Sequence, residues 1–230
     1  MRTFVLGDIH GAYKALLQCL ERSRFDREKD QLIALGDVCD GWPEVRQSID
    51  ELLKIKHLKY IIGNHDLWAR DWALKGETPD IWLDQGGKNT IASYKNKPMP
   101  QSHVELLMNA LPFVVYENKL FVHGGIDPLK PIEEQELETL VWDRLFLKGA
   151  KEISFWEKGF KYGTYDDIFL GHTTTLHYGS MSPLRFGNVW MIDTGAGWSG
   201  RLTIMDVASK KYWQSDPVLS LYAETEGRHS

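Results

Sequence analysis

Residues 3–20, TFVLGDIHGAYKALLQCL, hold the unit on which the fold turns. Thr3-Phe4-Val5-Leu6 reads as a buried strand, Gly7 to Gly11 as its polar exit turn, and Tyr13 to Leu20 as a helix apolar on one side. The unit recurs twice. Gln31 to Leu35 runs into Gly36-Asp37-Val38-Cys39-Asp40, with Pro43 placed to open a helix through Leu53, and Leu58 to Ile62 runs into Gly63-Asn64-His65-Asp66. This alternation predicts a layered α/β fold. From about Leu67 to Leu111 the sequence is Trp-rich and helix-compatible, broken by Gly86-Gly87 and Pro98-Met99-Pro100, and reads as a helical cap at 67–111 within one domain of residues 1–230. Strands resume with Phe113 to Tyr116 and with Leu120 to Val122, which ends in His123-Gly124-Gly125. Ile168-Phe169-Leu170 precedes Gly171-His172-Thr173, while Val189 to Ile192 and Leu202 to Val207 read as a closing hairpin pair. The polar tail, Glu224 to Ser230, is expected to fray.

Composition narrows the function classes. A 230-residue chain with 43% hydrophobic content can bury a substantial core without help from metals or disulfides. A net charge of −5 gives no basic footprint for a long nucleic acid, so none is expected as partner. Two cysteines, Cys19 and Cys39, form neither a disulfide framework nor a thiolate cluster and fit a reducing compartment. No basic and apolar leader opens the chain and no stretch nears the roughly 20 apolar residues of a membrane span, so a cytoplasmic protein with no membrane partner is expected. Nine tryptophans read first as core or cap packing, Trp42, Trp68, Trp72 and Trp82 included.

Five strand exits present Asp8 and His10, Asp37 and Asp40, Asn64 and His65, His123, and His172, the edge at which open α/β sheets place their sites. Any one of these has a bland explanation, because Asp and Asn favour turns and a lone His is usually structural. Together, carboxylate, amide oxygen and imidazole without thiolate suit Mn²⁺, Fe²⁺ or Zn²⁺ better than Mg²⁺ alone. A carboxylate on a short turn can serve two ions, and Asp37 is the candidate bridge. His57, His103 and His177 follow no such turn pattern and read as surface or structural, with His177, five residues past His172, nearest to the others.

Gly7-Asp8-Ile9-His10-Gly11, Gly36-Asp37-Val38-Cys39-Asp40, Gly63-Asn64-His65-Asp66, His123-Gly124-Gly125 and Gly171-His172 resemble, in order, the five motif blocks of the calcineurin-like metallophosphoesterases. Gly86-Gly87 and Ser93-Tyr94 resemble the branch of bacterial and phage serine/threonine protein phosphatases. The resemblance implies a four-layer α/β/β/α sandwich of two mixed sheets flanked by helices. It also implies one ion on Asp8, His10 and Asp37, and a second on Asp37, Asn64, His123 and His172. A metal-bridging hydroxide would attack phosphorus, with His65 as general acid and Asp40 orienting it. The chain departs from that branch where an arginine should follow Asp40, for it has Gly41-Trp42 instead. Arg144, within Leu140-Val141-Trp142-Asp143-Arg144, is the leading substitute phosphate clamp and Arg70 the second. The expected activity is phosphomonoester hydrolysis on a phosphoprotein, phosphopeptide or small phosphoester. The alternatives are a dinucleoside polyphosphate hydrolase and, third, a metal-bound binding protein with impaired catalysis.

Overall fold

The computed structural model describes residues 1–225. Residues 226–230, the larger part of the stretch expected to fray, lie outside the described residues. The chain opens with β1 (Thr3–Leu6), α1 (Tyr13–Arg22), β2 (Gln31–Ala34), α2 (Val45–Leu52) and β3 (His57–Tyr60). Four helices follow, α3 (Asn64–Lys75), α4 (Asp80–Trp82), α5 (Lys88–Ser93) and α6 (Gln101–Met108). Next come β4 (Phe113–Tyr116), β5 (Lys119–Val122), α7 (Leu137–Trp142), α8 (Leu145–Trp156) and β6 (Asp167–Leu170). The chain continues through β7 (Leu184–Phe186), β8 (Val189–Met191), β9 (Thr203–Asp206), β10 (Tyr212–Gln214) and α9 (Val218–Leu221).

Two five-stranded mixed sheets result, in the orders β10-β9-β1-β2-β3 and β4-β5-β6-β8-β7. Period-two alternation assigns each strand's side chains to two layers. Phe4 and Leu6 face the α1 side with Leu16 and Leu20, while Val5 and Ile33 point the other way, to Phe121, Phe169 and Ile192 of the second sheet. Leu120, Val122, Ile168 and Leu170 face out to Leu140, Phe146 and Leu147 of α7 and α8. The order is therefore helix, sheet, sheet, helix, as the motif resemblance implies.

β8 and β9 are not a hairpin. β8 pairs with β6 and β7, β9 pairs with β1 and β10, and the connection between them crosses from one sheet to the other. Both are short apolar runs, and such runs carry no sign of which sheet they join. In the stretch 67–111, α6 packs against α3 and α5 against α2, with Trp82, Tyr94 and Leu107 buried in the cluster that also holds Leu16 and Ile49. Trp42 and Trp82 are fully buried, as a core reading expects. No helix among the described residues is long and apolar enough to cross a membrane.

The parallel triplets β1-β2-β3 and β5-β6-β8 send their carboxyl ends to one edge. Phe121 and Phe169 stack between the sheets with centroids 4.8 Å apart and planes 7° from parallel. Truncating Phe121 to Ala leaves a cavity there and is expected to lower unfolding free energy by about 3–5 kcal/mol. Leu129→Ala, at a side chain 91% exposed, is expected to change it by less than about 0.5 kcal/mol, both read by urea unfolding.

Candidate metal centre

The exit turns bend sharply. His10, Asp37, Asp40 and His172 are non-glycine residues at φ of 49°, 50°, 68° and 59°, in the left-handed region that such residues occupy at a cost of order 1–3 kcal/mol each. Hydrogen bonds hold the bends. Asp66, fully buried on the first turn of α3, accepts from the backbone N–H groups of Asp37 (2.8 Å), Val38 (3.1 Å), Cys39 (3.2 Å) and Gly63 (3.0 Å) and from the Tyr60 hydroxyl (2.7 Å). His65 N–H donates to Asp37 Oδ1 at 2.9 Å, and His172 N–H donates to Asp8 Oδ2 at 2.9 Å, tying the fifth turn to the first.

Three histidines each turn one ring nitrogen to a backbone carbonyl and the other inward. Nδ1 of His10 meets Cys39 O at 3.0 Å, Nδ1 of His123 meets Leu35 O at 2.7 Å, and Nε2 of His172 meets Trp142 O at 3.2 Å. Inward, Asp37 Oδ2 lies 3.6 Å from His10 Nε2 and 3.4 Å from His123 Nε2. Asn64 Oδ1 lies 3.0 Å from His123 Nε2 and 2.9 Å from His172 Nδ1. Two groups thus bring ligand atoms within 4.8 Å of one another, His10 with Asp37 and His65, and Asp37 with His123 and His172. Asp37 belongs to both. Asp8 stands outside these groups, but its Oδ1 is buried without a hydrogen-bond partner, an orphan acceptor that a cation would satisfy. Donor chemistry, carbonyl-anchored imidazoles and the orphan oxygen fit divalent ions.

Electrostatics agree with a site built for positive charge. Burial, and then the charge of Asp193, push the Asp8 carboxyl well above the usual carboxylate range. Burial acts on Asp37 in the same direction, yet the facing His123, His65 and His10 rings hold it well below that range. Burial disfavours the charge of His123, but Asp37 and then Asp8 outweigh it and raise that ring to about 10. Burial, then repulsion from His123 and Arg144, drives His172 down to about 2.

A cleft of about 380 Å³ opens over these residues, lined by Asp37, Asn64, His65, Trp68, Trp142 and Arg144 among others. His65 points Nδ1 at Asp40 Oδ2, 2.6 Å away. Arg144 lies on the wall of this cleft, whereas Arg70 lines a separate cavity with Ile62 and Phe113. His177 also lines the cleft, and His103 is buried between the Tyr94 hydroxyl and Asp50. Sequence reading gave no role to Asp66 or Asp193, although Asp66 closes the third motif and Asp193 follows a strand as the others do. Gly41, where an arginine was expected, sits at φ +84°, and a Cβ there would stand 2.9 Å from both Cβ and the carbonyl oxygen of His10.

The chain belongs to the calcineurin-like phosphoesterase family, whose profile matches residues 1–196. It is a metallophosphoesterase, a metal-dependent hydrolase class whose members typically bind two divalent ions. Serine/threonine-protein phosphatase 1 of Salmonella typhimurium is 28% identical over 213 residues, 87% of this chain and 89% of that protein. The symmetrical bis(5'-nucleosyl)-tetraphosphatase of Coxiella burnetii is 28% identical over 161 residues, 66% of this chain and 51% of that protein, so the chain spans about half of that relative. The fold is shared with a crystal structure provisionally described as a diadenosine tetraphosphatase, with a TM-score of 0.70, 17% identity, and coverage of 94% of this chain and 93% of that one.

Ions bound only by the native state stabilise it by mass action, by about 2.7 kcal/mol at a hundredfold excess over Kd. Chelation is therefore expected to lower the thermal midpoint and re-addition of Mn²⁺ to restore it, whereas Asp37→Ala should abolish the response. A midpoint indifferent to chelator in the native protein contradicts the ligand assignment.

Proposed function

We propose that this chain is a phosphomonoesterase of the serine/threonine protein phosphatase type, with two divalent ions, Mn²⁺ first among candidates and Fe²⁺ or Zn²⁺ behind it. The observation that carries the reading is Asp37 Oδ2 set between His10 Nε2 and His123 Nε2, at 3.6 and 3.4 Å, the placement a bridging carboxylate needs. Asp8 and His10 complete one ligand set with Asp37, and Asn64, His123 and His172 complete the other. When bound, the ions supply Lewis acidity toward phosphoryl oxygens and acidify a water. The phosphatase of Salmonella typhimurium, matched over 89% of its length, supports the substrate class.

The remaining chemistry rests on side chains of the cleft. With Nδ1 committed to Asp40, His65 delivers a proton from Nε2 to the departing alkoxide oxygen, so the leaving group departs as an alcohol. Asp40 fixes the ring and stabilises its charged form. Arg144, at the cleft wall, offers a planar fork of N–H donors to two phosphoryl oxygens, replacing the guanidinium that Gly41 cannot supply. A second reading, hydrolysis of dinucleoside polyphosphates, is favoured by Trp68, Trp142 and Trp198 around the cleft, which offer faces for a nucleobase.

Hydrolysis of a phosphothreonine peptide, 4-nitrophenyl phosphate and diadenosine tetraphosphate, run in parallel with a chelated control, separates the two readings. The peptide is expected to show the highest kcat/KM, and preference for the dinucleotide would favour the second reading. Arg144→Ala is expected to lower kcat/KM for the peptide at least about tenfold, the loss of one charge-assisted phosphate contact. Arg70→Ala is expected to stay within about twofold, as for a residue outside the cleft. His65→Ala should lose about 10²–10⁴-fold on the peptide and far less on the aryl ester, whose leaving group needs no proton.

A further inference from the structure

Asp40 is gripped by a segment outside the five motifs. Its side chain is fully buried, and its Oδ2 faces His65 Nδ1 at 2.6 Å. The Trp82 indole N–H reaches both carboxylate oxygens at 2.9 Å, and the Thr90 hydroxyl donates to Oδ1 at 2.7 Å. The same Thr90 oxygen accepts the Asp40 backbone N–H at 2.8 Å, so the hydroxyl holds both side chain and main chain of a residue at φ +68°. Trp82 and Thr90 are themselves fully buried.

Chain geometry delivers both donors to one carboxylate. α4 runs into a wide turn, Leu83–Gly87, in which Gly86 takes φ 102°, and α5 then carries Thr90 back. A Cβ at Gly86 would stand 2.5 Å from the Gly41 nitrogen, so the turn reaches the Asp40-Gly41 peptide only with glycine there.

We infer that Trp82 and Thr90 are positioning residues of the hydrolytic reaction: their N–H and O–H fix the plane of the Asp40 carboxylate and so aim the His65 ring at the leaving-group oxygen. The inference rests on the reading of His65 as general acid. A carboxylate whose two oxygens accept from three directions cannot turn about its Cβ–Cγ bond without breaking a buried hydrogen bond, so the imidazole it holds keeps one orientation. Loss of either donor loosens that aim and leaves phosphate binding intact, so the effect belongs in kcat and grows as the leaving group worsens.

The test compares Thr90→Val, which keeps volume and removes the hydroxyl, with Thr90→Ser, which keeps the hydroxyl, and with Trp82→Phe, in parallel with His65→Ala. Substrates are a phosphothreonine peptide and 4-nitrophenyl phosphate with the Mn²⁺-loaded protein. Thr90→Val and Trp82→Phe are expected to lower kcat on the peptide about tenfold at unchanged KM, to lower it less than about twofold on the aryl ester, and Thr90→Ser to recover most of the loss. In the diamagnetic Zn²⁺-loaded protein, the proton on His65 Nδ1, observed by NMR, is expected to shift upfield or broaden in Thr90→Val and stay in place in Thr90→Ser. Should Thr90→Val not fold, Trp82→Phe carries the same comparison. Equal losses on both substrates, or none, with His65→Ala keeping its leaving-group dependence, overturn the positioning role alone. If His65→Ala loses equally on both substrates, the acid reading falls and the inference falls with it.

Discussion

Beneath the metal centre lies a fully buried carboxylate, Asp66, on the first turn of α3. Four backbone N–H groups from two different turns and the Tyr60 hydroxyl converge on its two oxygens, binding the exits of β2 and β3 into one rigid piece. Burial and the adjacent Asp37 charge push its carboxyl up to about 6, while the donors oppose them. Hydrogen bonds to a charged acceptor contribute about 1.5–3 kcal/mol each. That scale matches the strain of the left-handed residue Asp37 that the brace holds.

Strain and charge compensate in the same place. Asp8, Asp37 and Asp193 are all buried, so without a counter-charge they repel one another, and Asp193 is the largest charge effect felt by Asp8. Burial disfavours a charge on His123, but Asp37 raises that ring to about 10 and so favours a counter-charge beside the carboxylates. Divalent ions, which the family typically binds, would supply the same compensation more completely.

The motif turns were legible in the sequence because each side chain that matters sits within a few residues of a strand's end, where apolar run and glycine punctuate the chain. His10, Asp37, Asn64, His123 and His172 meet for that reason. The hairpin expected of Val189 to Ile192 and Leu202 to Val207 was not legible, since β8 and β9 are three and four residues long and partner choice depends on the opposite faces of two sheets. Trp82 reads as core or cap packing, and nothing in the sequence singles out Thr90. Their hydrogen bonds span 42 and 50 positions and arise only when the Leu83–Gly87 turn brings them back, a closure that no local pattern encodes. Gly41 stood out as a departure from the family pattern, and the left-handed backbone beside His10 supplies its physical reason.

Arg144, Trp68, Trp142 and His177 line the wall of the same cleft. In the proposed centre one carboxylate, Asp37, belongs to both ligand groups. The most direct measurement is a titration of Mn²⁺ into chelator-stripped protein, with bound metal and aryl phosphate hydrolysis followed together. Activity that rises to a plateau at two equivalents per chain is the predicted result. Full turnover at one equivalent, or in the stripped protein, would contradict it.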